Sequence, residues 1–210
     1  MTKEASVKEI SLEQMREIYH SELVTDFPEN EVKPFSSMEK LWRKGMYRGY
    51  ALWQDEKLRA YWFLLYYEKY NVYLLDYLAV VKGNRGKGYG SHALNFLATH
   101  CGQSILLIEA ENPQKAANKE ERDMRERRLD FYRKNGARLT GVCTQVYDAP
   151  YVIFLAGESE SGKCDDEWVM KVYENLYLET ILSENGHSAE EAGLLIEKGE
   201  NYGTNGIDCR

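Results

Sequence analysis

Leu78-Ala79-Val80-Val81-Lys82-Gly83-Asn84-Arg85-Gly86-Lys87-Gly88-Tyr89-Gly90-Ser91 is the stretch on which the reading of this chain turns. An apolar run ends, a basic glycine-rich loop follows, and a helical pattern opens at once. Glycine lets a backbone come close to a ligand, and the first amides of a helix are unpaired donors at its positive end. Together they make an anion site, most often for phosphate. Arg85 and Lys87 add cations that a structural turn does not need.

Outward from the loop, helix and strand signals alternate. Ser11-Leu12-Glu13-Gln14 reads as a capping box for a helix over about 11–24, and Ser36-Ser37-Met38-Glu39 as a second box for a helix ending near Gly45. Aromatic runs at 47–53 and 58–67, joined by a turn at Asp55-Glu56, read as strands, and a weaker strand is expected at 6–10. The run 72–81 is apolar on both faces, as in a sheet covered on each side. After the loop come a helix over 88–101, a strand at 104–109 stopped by Asn112-Pro113, and a charged helix closing at Asn135-Gly136. Strands at 138–146 and 151–155 follow. We expect a mixed α/β (α+β) fold, a single sheet with helices on both faces.

Residues 157–162 read as a linker, leaving 1–157 as one domain and 158–210 as an acidic C-terminal helical extension. In that extension we expect one helix closed by Gly186, a short second helix over 188–199, and a disordered tail from Glu200. The extension is read as an appendage that packs on the core or makes dimer contacts, with a lid as the functional alternative.

At 210 residues, 43% of them hydrophobic, the chain can bury one good core. No apolar run approaches the roughly 18 residues that span a bilayer. The first residues lack the apolar centre of a signal peptide, so a cytoplasmic protein is expected. Cys101, Cys143, Cys164 and Cys209 form no CxxC pair and are expected to be reduced. The histidines are equally dispersed, and no metal is expected. Residues 158–210 hold 13 acidic and 4 basic side chains, a net −9 against −7 for the whole chain. The remainder is close to balanced, so neither a nucleic-acid face nor a membrane partner is expected.

Three phosphate sites compete for the loop. A Walker A loop, G-x-x-x-x-G-K-S/T, is excluded because Tyr89 and Gly90 stand where the lysine and the hydroxyl residue belong. Gly88-x-Gly90-x-x-Ala93 meets a dinucleotide fingerprint, with Glu109 about 20 residues on, but 82–87 separate the strand from these glycines. Arg85-x-x-Gly88-x-Gly90 resembles the R/Q-x-x-G-x-G/A signature of the GNAT superfamily of N-acetyltransferases. Phe131-Tyr132-Arg133-Lys134-Asn135-Gly136-Ala137 is similar to that family's FYxxxGF element, with Ala137 in place of the aromatic.

The resemblance covers about 46–155, the first 45 residues by element order alone, and none of the last 50. It implies a mostly antiparallel sheet and acetyl-coenzyme A as cosubstrate. Arg85, Gly86, Lys87, Gly88, Tyr89, Gly90 and Ser91 would hold the pyrophosphate, with the main chain of Leu78, Ala79 and Val80 along the pantetheine arm. Many members carry asparagine and alanine seven and four residues before the tyrosine. Here Arg125 and Arg128 stand there, and either could approach a phosphate or an acidic substrate group.

Acyl transfer to an amine needs a held thioester, a neutral amine, a stabilised oxyanion and a proton for the departing thiolate. Tyr132, a phenol that stays protonated at neutral pH, is the expected acid; the alternative is that it only packs beside Phe131. Asp76, expected on one strand face with Val72, Leu74, Leu78 and Val80, is one candidate base, because an isolated buried carboxylate is pushed towards its protonated form. Glu109 is the other, with Glu111 just beyond. Salt bridges to Arg125 or Arg128, or a water chain, are the alternatives.

The charged run 119–128 reads mainly as solvated i,i+4 pairs, and the aromatic strands as core. The expected function is acetyl-coenzyme A-dependent N-acetylation of a primary amine, a small molecule before a protein terminus or lysine, by a monomer or homodimer. A non-enzymatic acyl-coenzyme A sensor and nucleotide-linked redox chemistry are the rivals.

Overall fold

Ser11 accepts from the Gln14 amide while the Gln14 side chain accepts from the Ser11 amide, closing the expected capping box. The computed structural model to which this box belongs describes residues 4–157, 164–201 and 207–208, and the chain divides into two units, 1–102 and 103–210.

In the first unit β1 (Ser6–Ile10) leads to α1 (Leu12–Ile18), which continues through a wide π turn at Tyr19–Leu23. Next, α2 (Phe35–Arg43) starts behind Pro34 with no side-chain cap, so the box expected at Ser36 is not formed. Proline's fixed φ begins that helix instead, and Glu39 pairs with Arg16 at 3.1 Å and Arg43 at 2.6 Å. The strands β2 (Tyr47–Gln54), β3 (Lys57–Tyr67) and β4 (Val72–Val80) follow. They pair antiparallel in chain order after β1, and Asp55 and Glu56 turn the first hairpin with positive φ.

Helices cover both faces of this unit's sheet. Gly49 lets α1 approach so closely that a Cβ there would sit 2.7 Å from Met15. The next residue, Tyr50, points the other way and meets Phe96 of α3 (Tyr89–His100) at 5.5 Å between ring centres. Tyr61, Trp62 and Phe63 are buried, so these aromatics are core, as expected.

In the second unit β5 (Ile105–Glu111), α4 (Lys119–Lys134), β6 (Arg138–Val146) and β7 (Ala149–Ala156) precede α5 (Asp166–Leu176). Strands β5, β7 and β6 pair antiparallel in that order. Tyr132 of α4 packs on Phe154, whose partner across the sheet is Ile108. Their neighbours Ile153 and Glu109 face α5, so here too helices lie on both sides. The fold is the mixed α/β, mostly antiparallel one expected.

The C-terminal part departs from expectation in one element. Ser188 and Glu191 do cap each other, but the chain turns only once before Gly193 takes φ +55. Then β8 (Leu195–Lys198) pairs antiparallel with β6 where a short helix was expected. Of the tail, Glu200–Asn201 pair with Ile207–Asp208; its other residues, and 158–162 of the expected linker, lie outside the described residues.

Cys101 and Cys164 are free, but Cys143, buried on β6, is disulfide-bonded, so not every thiol is reduced. Cys209 lies outside the described residues. Among the described residues no helix is long and apolar enough to cross a membrane.

Candidate active site

The glycine loop joins β4 to α3 as the sequence led us to expect. Gly88 is the N-cap of α3, with φ +85 and no side-chain cap. The first backbone bond of the helix runs from the His92 amide to the Gly88 carbonyl at 2.9 Å. The amides of Tyr89, Gly90 and Ser91 precede it and have no carbonyl to meet within the helix. A Cβ added at Gly83, Gly86 or Gly88 would meet nothing within 4 Å, so the loop's outer side is open. Arg85 and Lys87 are exposed beside it, and Lys87 folds back to donate to the Gly83 carbonyl at 3.1 Å. Amides, open glycines and cations together suit a pyrophosphate.

Sequence reasoning missed the residues that brace this loop. Arg59 is the extra residue of a β-bulge in β3, where Leu52 pairs with Ala60 and Trp53 with Leu58. Its carbonyl accepts from Val81 at 3.0 Å and its guanidinium donates to the buried Asn84 side chain at 3.0 Å. The Asn84 amide closes back on the Val81 carbonyl, and the Tyr89 hydroxyl donates to Gln54 at the end of β2. Nothing in the local pattern marks Arg59, because a bulge arises from the pairing of two strands.

Asp76 sits at a second bulge. Phe63 pairs with Tyr77 and Leu64 with Leu75, leaving Asp76 as the extra residue of β4. The bulge corrects the expected face: Val72 and Leu74 lie on one side, while Leu78 and Val80 move to the other. Nor is the carboxylate isolated. Lys33 forms an ion pair with it, the Tyr47 hydroxyl donates to it, and its side chain is only 4% exposed. Burial, and next the Asp76 charge, push the Tyr47 phenol well above its ordinary pKa. Beyond the bulge the half-buried Leu78, Ala79 and Val80 pair with Trp62, Tyr61 and Ala60.

Glu109, half-buried on β5, accepts at Oε1 from Tyr173 and from Tyr177, the latter at 2.5 Å. Both phenols are pushed well above their ordinary pKa, first by burial and next by Glu109, so they stay donors. Glu111, two residues on, takes the arginines. It pairs with Arg128 and lies 3.1 Å from Arg125, which also meets Glu121 at 2.5 Å and donates to the Asn112 carbonyl at 2.8 Å. These arginines are therefore engaged by carboxylates of their own unit.

Tyr132 packs between Phe131 and Phe154, with ring centres 5.4 and 5.6 Å away. Burial raises its pKa, an effect that Arg128 opposes and Glu111 reinforces. Its hydroxyl has no hydrogen-bond partner among the described residues, so its proton is not committed to a neighbour there.

A family model for the acetyltransferase (GNAT) family matches residues 12–136. No curated protein matches the chain. Among solved structures, a Bacteroides thetaiotaomicron protein described as an acetyltransferase of the GNAT family is 17% identical, with a TM-score of 0.64 over 83% of this chain and 98% of that one. The ribosomal-protein-S18-alanine N-acetyltransferase of Escherichia coli is 16% identical, with a TM-score of 0.55 over 76% of this chain and 97% of that one. An aminoglycoside 6'-N-acetyltransferase complexed with coenzyme A is 13% identical, with a TM-score of 0.51 over 71% and 95%. At these identities the likeness is one of fold.

Proposed function

The chain belongs to the GNAT family of acetyltransferases, and we propose that it transfers the acetyl group of acetyl-coenzyme A to the primary amine of a small molecule. The observation that carries this reading is the loop at 82–91: three helix-terminal amides, glycines open on their outer side, and two exposed cations. Arg85, Gly86, Lys87, Gly88, Tyr89, Gly90 and Ser91 would hold the pyrophosphate, and Leu78, Ala79 and Val80 the pantetheine arm.

In the transfer, the amine nitrogen attacks the thioester carbonyl carbon, a C–N bond forms and the C–S bond breaks. Tyr132 protonates the departing thiolate, its raised pKa keeping the phenol protonated at neutral pH until the thiolate forms. Glu109 takes the amine proton. Tyr173 and Tyr177 both donate to its Oε1 and aim the carboxylate; Asp76 pairs with Lys33, and Glu111 with two arginines.

The test is calorimetry with coenzyme A and with NAD, followed by coenzyme A release from acetyl-coenzyme A across spermidine, an aminoglycoside, free lysine and an N-terminal peptide. Binding of coenzyme A with turnover of a small amine is expected. Binding without turnover of any amine would leave a sensor, turnover of the peptide alone would move the acceptor to protein, and binding of NAD alone would sink the loop assignment.

A further inference from the structure

We propose that Tyr173 and Tyr177 of the C-terminal helix are positioning residues that aim and tune the Glu109 carboxylate. The inference rests on the reading of Glu109 as the base given above. Tyr173 and Tyr177 are four residues apart, on one face of α5 and the turn that extends it. Their rings stack at 4.6 Å, and both hydroxyls converge on the same atom, Glu109 Oε1. Behind them Thr144 of β6 donates to the Tyr173 hydroxyl at 3.1 Å, which fixes the direction in which that phenol gives its own proton. Tyr173, Tyr177 and Thr144 are all buried, whereas Glu109 keeps part of its surface open.

A phenylalanine would fill the same core volume without a hydroxyl to satisfy, so packing alone does not account for two buried phenols meeting on one carboxylate. Two donors on one oxygen orient the carboxylate and favour its ionised form. Glu111, two residues along the strand, pairs with Arg125 and Arg128 of α4, while α5 brings the two phenols to Glu109. The helix that supplies them lies beyond the stretch matched by the family model, which ends at residue 136.

The experiment follows the Glu109 carboxyl by carbon-13 NMR of the full chain with labelled glutamate, its signal identified by its loss in Glu109→Gln. Removing one donor from Tyr173 or Tyr177 by Tyr→Phe should raise the Glu109 titration midpoint by about one pH unit, a tenfold change in its ionised fraction below the midpoint. The acidic limb of coenzyme A release with spermidine should move up with it. Thr144→Val, which frees Tyr173 from behind, should shift it the same way by less. Unmoved midpoints in Tyr177→Phe and Thr144→Val, with melting and coenzyme A binding intact, would overturn the inference while the base reading stood. Full turnover in Glu109→Gln would instead overturn the base reading, and the inference with it.

Discussion

Gly88→Ala separates what the loop glycine does for the backbone from what it does for the ligand. Gly88 holds φ +85, and a Cβ built there meets no protein atom within 4 Å. The folded chain therefore pays only for the left-handed backbone, about 1–2 kcal/mol. At about 2–4 °C per kcal/mol for a chain of this size, melting should fall by roughly 2–8 °C. Gly45, closing α2 with φ +73 and equally open space, supplies the control: Gly45→Ala should lower melting by a similar amount. The two variants part company on coenzyme A. In Gly88→Ala the methyl group occupies the open side where the pyrophosphate would lie. Losing one backbone bond to that anion costs about 1.5–3 kcal/mol, which is about 10–150-fold in Kd. Calorimetry with coenzyme A and parallel melting curves read both quantities. Equal affinities for the parent, Gly45→Ala and Gly88→Ala, with both melting points lowered, would mean that the glycine is there for the turn alone.

Other perturbations test other parts of the argument. Tyr132→Phe should lower kcat by about 100-fold or more, as loss of a general acid does, while coenzyme A binds as before; an unchanged kcat removes Tyr132 as the acid. Lys33→Met strands the Asp76 carboxylate, and because Lys33 is partly exposed the cost should lie near the lower end for broken buried pairs, about 3 kcal/mol. Urea unfolding should show most of it recovered in the Lys33→Met/Asp76→Asn pair, and a single-variant cost below about 1 kcal/mol would contradict the buried pair. Burial pushes the Cys101 thiol up from 9.0 to about 11. The folded state thus keeps this proton longer than the unfolded chain, so the stability it contributes is complete below about 9 and is lost as pH rises through about 11. Native-state alkylation at pH 8 should spare Cys101, and rapid labelling there would refute the burial argument.

Local signals proved legible wherever the chemistry is local. The Ser11 box, the Asp55-Glu56 turn, the Asn112-Pro113 stop and Gly186 as a helix end all lie where the residues demand. What could not be read depends on strands meeting. Bulges at Arg59 and Asp76 appear only when β3 is laid against its neighbours, and the second moves Leu78 and Val80 to the opposite face from Val72. Leu194-Leu195-Ile196 after a good cap reads as helix from sequence, yet Gly193 breaks the turn and the edge of β6 captures the segment as a strand. The helix that carries Tyr173 and Tyr177 was legible up to Gly186, but nothing in the sequence singled out these two tyrosines, because their partner Glu109 lies more than 60 residues earlier.

The choice among the carboxylates turns on what already occupies each. Asp76 and Lys33 are a carboxylate and a primary amine in contact, which is the pairing a substrate amine would have to make with its base. A tethered ammonium acts at a high effective concentration, so an incoming amine at Asp76 competes against an intramolecular partner before any chemistry begins. Glu111 faces the same objection from Arg125 and Arg128, which never release their protons. Tyr173 and Tyr177, phenols with raised pKa values, donate to Glu109 without bringing a positive charge, and so they orient its carboxylate. Lys33→Met should then weaken the fold more than it alters selection among amines, whereas Tyr177→Phe should leave most of the stability and change the pH at which amines react. If Lys33→Met instead admitted a new acceptor amine at undiminished stability, Asp76 would be the better base and Glu109 a buried structural group.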